Sequence, residues 1–429
     1  MQFHFLSVPL AGWALAAALS VSITSTPALA NQTEATGLTS AQVDLGFSRW
    51  LAEFKQDALA KGISPAILDI TLADDLQPIA RILELDQRQP EFVNTFWNYL
   101  DRGVDEKRLA LGREKLREHK NLLRETQAKY GIPAQILIAF WGLETHFGRV
   151  TGSFPTPAAL ATLAYDNRRS AFFRSELLHA LTILEQQHLP ATEMKGSWAG
   201  AMGQMQFMPS TFLRYAVDAN GDGRKDIWQS LPDAFHSGAN YLRLSGWNSG
   251  EIWGREVRLP ENFNFDDARL DLKKPVKYWA NKGVRQANGK PLPIPRSIDM
   301  NGAIILPQGH AGPAFLVYRN FDVIMQWNRS INYALTVGHM ADRLNGQPPL
   351  LLGRNADNRR LTRDQFMQIQ QQLNQLGFDT GGIDGVPGSK TRQAIRAYQK
   401  RVGLPADGHA SASFLEYLEQ AAIKTTTGS

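Results

Sequence analysis

The chain has 429 residues, room for two or three domains, and its 43% apolar and 20% charged content is that of an ordinary folded protein. Lys and Arg outnumber Asp and Glu by 46 to 41, a net charge of +5 that suits an anionic partner; with no dense basic stripe or nucleic-acid motif, no nucleic acid is expected. There is no cysteine, which excludes disulfides, thiolate nucleophiles, Cys-ligated zinc and lipid attachment through cysteine.

Residues 10–19 form an apolar run leading to Pro27-Ala28-Leu29-Ala30, an A-x-A cleavage pattern. Residues 1–30 therefore read as a cleaved secretory signal peptide. No Lys or Arg precedes the run, and only the amino terminus and His4 supply charge there; an uncleaved membrane anchor is the alternative. From about Thr39 to Tyr130 the pattern is helical, with amphipathic spacing such as Phe47, Trp50, Leu51 and Phe54.

A second helical block runs from Pro133 to about Leu189. Near its start, residues 132–144 are unusually apolar and end in Glu144. On a helix, Leu137, Phe140 and Trp141 share a face with Glu144, because residues three, four and seven apart align. A carboxyl in such surroundings loses solvation and can stay protonated near neutral pH as a general acid. The plainer reading is a helix-end Glu reaching water.

Residues 195–210 are rich in small residues and side-chain amides. Ser197, Gln204 and Gln206 offer neutral hydrogen bonds suited to sugar hydroxyls and acetamido groups. A tight Gly/Ala helix crossing with buried amides is the alternative. Next, Asp218-Ala219-Asn220-Gly221-Asp222-Gly223-Arg224 follows the start of a calcium loop, with oxygen ligands at positions one, three and five and glycine at six. Arg224 offers a carbonyl, and the place of the usual closing Glu is taken by Gln229. A plain Asn-Gly/Asp-Gly turn is the alternative.

Residues 253–314 carry many Pro and Gly breaks and short β-branched runs, and read as a small strand-rich insert. Helical pattern returns from Phe321 to Leu344. Residues 345–360 read as a flexible linker. Beyond it, residues 361–422 form a compact unit with two helix stripes, one through Phe366, Ile369, Leu373 and Leu376, the other through Thr391, Ala394, Ile395 and Tyr398. An internal echo, Leu376-Gly377-Phe378 before Asp384-Gly385 and Val402-Gly403-Leu404 before Asp407-Gly408, points to two similar half-units.

Gly142-Leu143-Glu144-Thr145-His146-Phe147-Gly148, the 196–210 segment, Asn240-Tyr241 and residues 328–334 together resemble the B-type bacterial lytic murein transglycosylases. The resemblance covers roughly Phe47 to Leu344, with several spaced motifs in order. The last unit is similar to the common helical peptidoglycan-binding module, through residues 369–373, Asp384-Gly385-Val386-Pro387-Gly388 and residues 394–399. The resemblance implies an α+β, mainly α protein: a lysozyme-like helical catalytic domain over residues 31–344 with the strand-rich insert, then linker and module. It implies one catalytic carboxyl, Glu144, cutting the MurNAc–GlcNAc β-1,4 bond without water to leave a 1,6-anhydro end. It places Ser197 and Gln206 beside Glu144, Tyr241, Asn328 and Tyr333 along the cleft, Tyr99 as a looser cleft match, and Arg168 and Arg169 toward peptide or lactyl carboxylates. A structural calcium ion would be held by Asp218, Asn220, Asp222, the Arg224 carbonyl and a later acid best matched by Asp233. No organic cofactor is implied. The expected setting is the periplasm, as a soluble monomer acting on peptidoglycan glycan strands, alongside wall-synthesis or hydrolase partners. Two rivals remain: a goose-type lysozyme using water, and a non-catalytic wall-binding scaffold. The histidines show no zinc-protease spacing, and there is no Walker loop, dinucleotide fingerprint or nucleophile-elbow serine.

Overall fold

The computed structural model describes residues 40–87, 94–166, 169–187, 189–294, 300–386 and 388–427. The expected signal segment and Arg168 lie outside them. Among the described residues no helix is long and apolar enough to span a membrane.

The first expected helical stretch is a series of helices beginning with Ser40–Ala60, whose Phe47, Leu51 and Phe54 are buried as their spacing requires. At the centre lies the helix Ala134–Thr145, in which residues 136–142 are all buried. A surface helix hides one stripe; a helix apolar all round needs neighbours all round. Glu106–Glu118, Lys120–Tyr130 and Ile331–Leu344 supply them. Gly142 is required here, because a Cβ would meet Met340 and Phe147 within 3 Å.

The strand-rich insert is a five-stranded antiparallel sheet. Its order is Lys274–Pro275, Asn301–Ile305, Ala314–Val317, Gly254–Arg258, Arg285–Gln286. It has a core of its own around Val257, Trp279, Ile304 and Leu316, with the Trp279 indole donating to the Gly302 carbonyl at 2.8 Å. The helical run expected from Phe321 to Leu344 is two helices, Arg319–Trp327 and Ile331–Leu344. Asn328 breaks it by accepting the Ser330 amide (3.0 Å), and Ser330 then caps the second helix through Tyr333 N–H.

The C-terminal module has three helices, Arg363–Gln375, Ser389–Arg401 and Ala412–Thr427, around Phe366, Ile369, Ile395, Tyr398 and Leu418. The sequence echo has a physical basis. Buried Gln370 donates to Asp384 (2.8 Å) and accepts Gly385 N–H (2.8 Å). Buried Gln399 does the same with Asp407 (2.9 Å) and Gly408 N–H (2.8 Å).

Residues 345–360, expected as a linker, are bonded to the catalytic body as a strap. Glu256 accepts the amides of Leu351 and Leu352 (2.9 and 2.7 Å). The Trp97 indole donates to the Gly353 carbonyl (2.8 Å), and Arg354 lies 4.0 Å from the Trp97 ring centre while bonding Asp101 with both nitrogens. Buried Gln308 accepts Phe96 N–H (2.9 Å) and donates to the Asp357 carbonyl (2.6 Å). Composition cannot separate such a strap from a linker, since its bonds use backbone groups that every residue carries. The module is docked in turn: Asp407 accepts from His310 N–H (2.8 Å) and contacts His310 Nδ1 (2.7 Å).

Candidate active site

Glu144 sits in the last turn of the central helix. The next two residues are left-handed, His146 at φ 50° and Phe147 at φ 60°, followed by Gly148 at φ 79°. Non-glycine residues there cost about 1–2 kcal/mol each. Packing offsets that cost: Phe147 is buried edge-on to Trp141 at 5.6 Å, and Thr145 Oγ1 donates to the Gln204 carbonyl and accepts Gly148 N–H. The turn thus ends the helix directly after Glu144 and fixes where its carboxyl emerges.

Glu144 Oε1 accepts from the Tyr333 hydroxyl and from the Trp327 indole N–H, the latter at 3.1 Å. Part of the residue's surface stays open to the cleft, but the carboxyl is closely surrounded. Burial pushes its pKa from 4.5 up to about 7, against the opposing pull of the Tyr333 and Trp327 hydrogen bonds. Among the described residues no second carboxylate figures in that balance.

Aromatic rings build the surrounding wall. Phe140, one turn before Glu144, packs on Trp327 at 4.5 Å between ring centres, and Tyr241 packs edge-on to Trp327 at 4.9 Å. Burial raises the pKa of Tyr99, and the Glu144 charge raises it further, so Tyr99 faces the same carboxyl. Burial, then the charge of Glu144, likewise holds Tyr333 protonated. Tyr241 is pushed up to about 12, chiefly by burial. The structure therefore gathers Tyr99, Tyr241 and Tyr333 around Glu144. Trp327 is an addition that sequence reasoning missed; its position directly before Asn328 was the available signal. Asn328 is buried at the helix break described above.

Gln206, at φ 51°, donates its amide to the Thr151 and Gly203 carbonyls, both at 3.0 Å, tying its loop to the segment after Glu144. Among the described residues its Oε1 has no hydrogen-bond partner. Gln204 is the hub beneath, accepting the Trp141 indole N–H (2.8 Å) and donating to the Trp228 carbonyl (2.9 Å). Two expected site residues make hydrogen bonds or ion pairs within the protein. Ser197 Oγ accepts Ala201 N–H at 3.1 Å inside its own turn. Arg169 pairs with buried Asp86 and lies over Phe173.

In the 218–224 turn, Asp218 accepts the amides of Gly221 (2.7 Å) and Gly223 (2.8 Å), and Asp222 accepts Arg224 N–H (2.8 Å). Gly221 and Gly223 both have positive φ, as a sharp turn of this kind requires. Asp233 is fully buried and bonds the amides of Ala219 (2.9 Å) and Asp226 (2.8 Å), closing the loop on itself. The oxygen-only set of Asp218, Asn220, Asp222 and the Arg224 carbonyl fits the chemistry of a hard cation. Among the described residues no three acidic or histidine side chains gather as a metal-holding group, so such an ion would rely on amide and carbonyl oxygens as well. The loop's far end meets the catalytic segment where Gln204 N–H donates to the Ile227 carbonyl at 2.9 Å.

Comparison with known proteins agrees with this geometry. Residues 46–342 match the transglycosylase SLT domain, and residues 362–418 match a putative peptidoglycan binding domain. The membrane-bound lytic murein transglycosylase B of Escherichia coli K12 is 39% identical over 226 residues, which cover 51% of this chain and 59% of that protein. The crystal structure of SltB3 from Pseudomonas aeruginosa, in complex with NAG-anhNAM-pentapeptide, superposes with a TM-score of 0.83 at 43% identity, covering 87% of this chain and 99% of that one. The lytic transglycosylase Slt35 of Escherichia coli, in complex with calcium, has a TM-score of 0.59 at 26% identity, covering 69% of this chain and 92% of that one. With Glu144 seated among Tyr99, Tyr241, Trp327 and Tyr333 in a matching fold, the chain belongs to the SLT transglycosylase family.

Proposed function

We propose that the protein is a peptidoglycan lytic transglycosylase, a lyase that cleaves the MurNAc–GlcNAc β-1,4 bond and leaves a 1,6-anhydroMurNAc end. The observation that carries this reading is Glu144: one carboxyl, poised near neutral pH, with no second carboxylate among the described residues contributing to its balance. A two-carboxylate glycosidase needs its second acid within about 5–9.5 Å. Asp342, also buried with its pKa raised to about 7, does not fill that role. It bonds the Trp253 indole at 3.0 Å and lies nine residues along the helix from Tyr333, about 13 Å away at 1.5 Å per residue.

On this reading, protonated Glu144 gives its proton to the glycosidic oxygen as the bond to C1 breaks. The substrate's acetamido carbonyl stabilises the cation developing at C1, and Gln206 Oε1 would accept the acetamido N–H. The Glu144 carboxylate then takes the proton of the MurNAc C6 hydroxyl, whose oxygen closes the ring on C1. The carboxyl ends as it began, and no water is consumed. Tyr333 and Trp327 hold Oε1 through both steps, leaving Oε2 for the proton transfers. Tyr99, Tyr241 and Asn328 line the cleft.

Mass spectrometry of soluble products from purified peptidoglycan tests the reading. Anhydro-muropeptides from the wild type and none from Glu144→Gln are expected. Reducing-end muropeptides would mean a hydrolase. Absence of products, with the protein still pelleting with the wall, would mean a scaffold.

Calcium in the 218–224 turn, with Asp233 closing the loop, would be structural and would steady Gln204 through Ile227. Calcium should raise the melting temperature of the wild type and not of Asp218→Ala; identical wild-type melts with calcium and with chelator would end the idea. A periplasmic setting after removal of residues 1–30, a monomeric state and recruitment by other wall enzymes complete the proposal.

A further inference from the structure

Two non-glycine residues in the left-handed region follow Glu144 and Thr145, His146 at φ 50° and Phe147 at φ 60°. A turn of that kind relaxes unless the structure around it holds both of its ends. Gln204 reaches both. Its Oε1 accepts the indole N–H of Trp141 at 2.8 Å, on the helical turn that carries Glu144, and its backbone carbonyl accepts Thr145 Oγ1 at 2.9 Å. Thr145 Oγ1 in turn accepts Gly148 N–H at 3.0 Å. Gly148 also lies directly against the Gln204 side chain, since a Cβ there would fall 2.3 Å from Oε1. Contacts with a single residue therefore bracket the turn from Trp141 to Gly148.

Gln204 is itself fixed from behind. Its backbone N–H donates to the Ile227 carbonyl and its side-chain amide donates to the Trp228 carbonyl, both at 2.9 Å. Those carbonyls belong to an anchored base. Ile227 is fully buried, the Trp228 indole donates to the Lys195 carbonyl at 2.8 Å, and Trp228 N–H donates to Asp226 at 2.9 Å. The preceding residue allows no slack, because a Cβ on Gly203 would lie 2.6 Å from the Ile227 carbonyl oxygen. Both ends of the Gln204 side chain are thus used inside the protein, where its residue type alone suggested a sugar ligand.

We infer that Gln204 is a positioning residue of the proposed reaction, clamping the turn after Glu144 so that the carboxyl stays seated on Tyr333 and Trp327. The inference rests on the proposed function for the reaction it serves, while its geometry concerns the carboxyl alone. The titratable groups that face Glu144 are Tyr333 and Tyr99, with Tyr241 beyond them, and burial holds all three protonated. What a slackened turn would change is the pair of hydrogen bonds from Tyr333 and Trp327. These favour the ionised carboxyl, so weakening them moves its titration upward.

The test uses the full chain with Gln204→Met, which keeps the length of the side chain without its hydrogen bonds, and with Trp141→Phe, which removes one donor and keeps a ring. On soluble peptidoglycan fragments each should lower kcat about 10- to 100-fold with KM little changed, the scale of a small misplacement of a reacting group. The double variant should lose no more than the stronger single one, because both break the same link. The alkaline limb of kcat/KM should rise above the wild-type midpoint. Adding His146→Gly to Gln204→Met, which removes the cost of left-handed backbone, should restore part of kcat. A raised KM with unchanged kcat would make Gln204 a sugar ligand and overturn the inference. So would a limb that stays in place, with or without a loss of kcat, since a merely structural role would leave it there. The carboxyl is also titrated directly by carbon NMR in the wild type and both single variants, with Glu144→Gln supplying the assignment. Its midpoint should rise in the variants, and coinciding midpoints sink this inference even where anhydro products form. A wild type that makes no anhydro ends sinks the activity reading and leaves the NMR midpoints to decide whether Gln204 seats the carboxyl.

Discussion

Tyr333 and Trp327 both favour the ionised form of Glu144, while burial favours the neutral form, and burial wins. Removing one donor should therefore move the pKa further up. Tyr333→Phe should shift the alkaline limb of kcat/KM above its wild-type midpoint near pH 7. It should also slow the reaction about 10- to 100-fold, the scale of a lost hydrogen bond to a charged group. A pH–rate profile checks both parts, and a limb that stays in place would show that Tyr333 does not act on the carboxyl. The same carboxyl carries a stability signature. Its folded pKa lies above the unfolded value, so its contribution to folding is intact below pH 4.5 and is lost as pH rises through about 7. Glu144→Gln should consequently be more stable than the wild type at pH 8, by on the order of 1–3 kcal/mol, with the gap closing below pH 5. Denaturant melts at the two pH values measure it. The carboxyl itself was legible from sequence, because an apolar run with helical spacing tells where an acid will be desolvated. Trp327 was not, because the partner arrives from 183 residues away and only the tertiary fold brings it there.

The elements around the site meet through backbone contacts that leave no space. Gly152 has φ 96°, and a Cβ on it would strike the Gly196 carbonyl and the Ser197 amide. Gly152→Ala should push the 196–206 loop away from the Glu144 turn, cost more than about 1 kcal/mol in stability and lower activity with it. Wild-type-like melting and turnover would show that the loop has slack. Sequence reading found the small-residue character of this segment but left open whether it served packing or ligand. The structure shows the packing use, since Gly196 is packed against Ala201, and it ties Gln206 to the segment after Glu144. The sheet was legible in two of its longer strands. Ala314–Val317 was not, because its four residues are all buried and show no alternation to read. The paired Asp-Gly turns of the module were visible as an echo, but the buried glutamines behind them were not, since a glutamine in a helix gives no sign of which way it faces.

At the scale of the whole molecule, Asp407 is the residue that seats the module. Burial would raise its pKa, but hydrogen bonds from His310, His409 and Gln399 outweigh that and lower it from 3.8 to about 2. Its contribution is therefore present above pH 4 and lost only as pH falls through about 2. Asp407→Ala should release the module at neutral pH, seen as a larger radius of gyration in small-angle scattering. Lys400→Ala should not, because its bond to Asp266 is made at an exposed surface. An unchanged scattering profile for Asp407→Ala would assign the seat to the strap alone.

The strap of residues 345–360 changes what a wall-binding domain means for this enzyme. A domain on a loose leash multiplies encounters over every site the leash can reach, and the gain fades gradually with distance. A domain bolted down, as Trp97, Gln308 and Glu256 bolt this one, offers no such gradient: its hold and the cut at Glu144 either fall in register on the same stretch of polymer or do not occur together. On the proposed activity, the reach between hold and cut is one fixed length of the molecule.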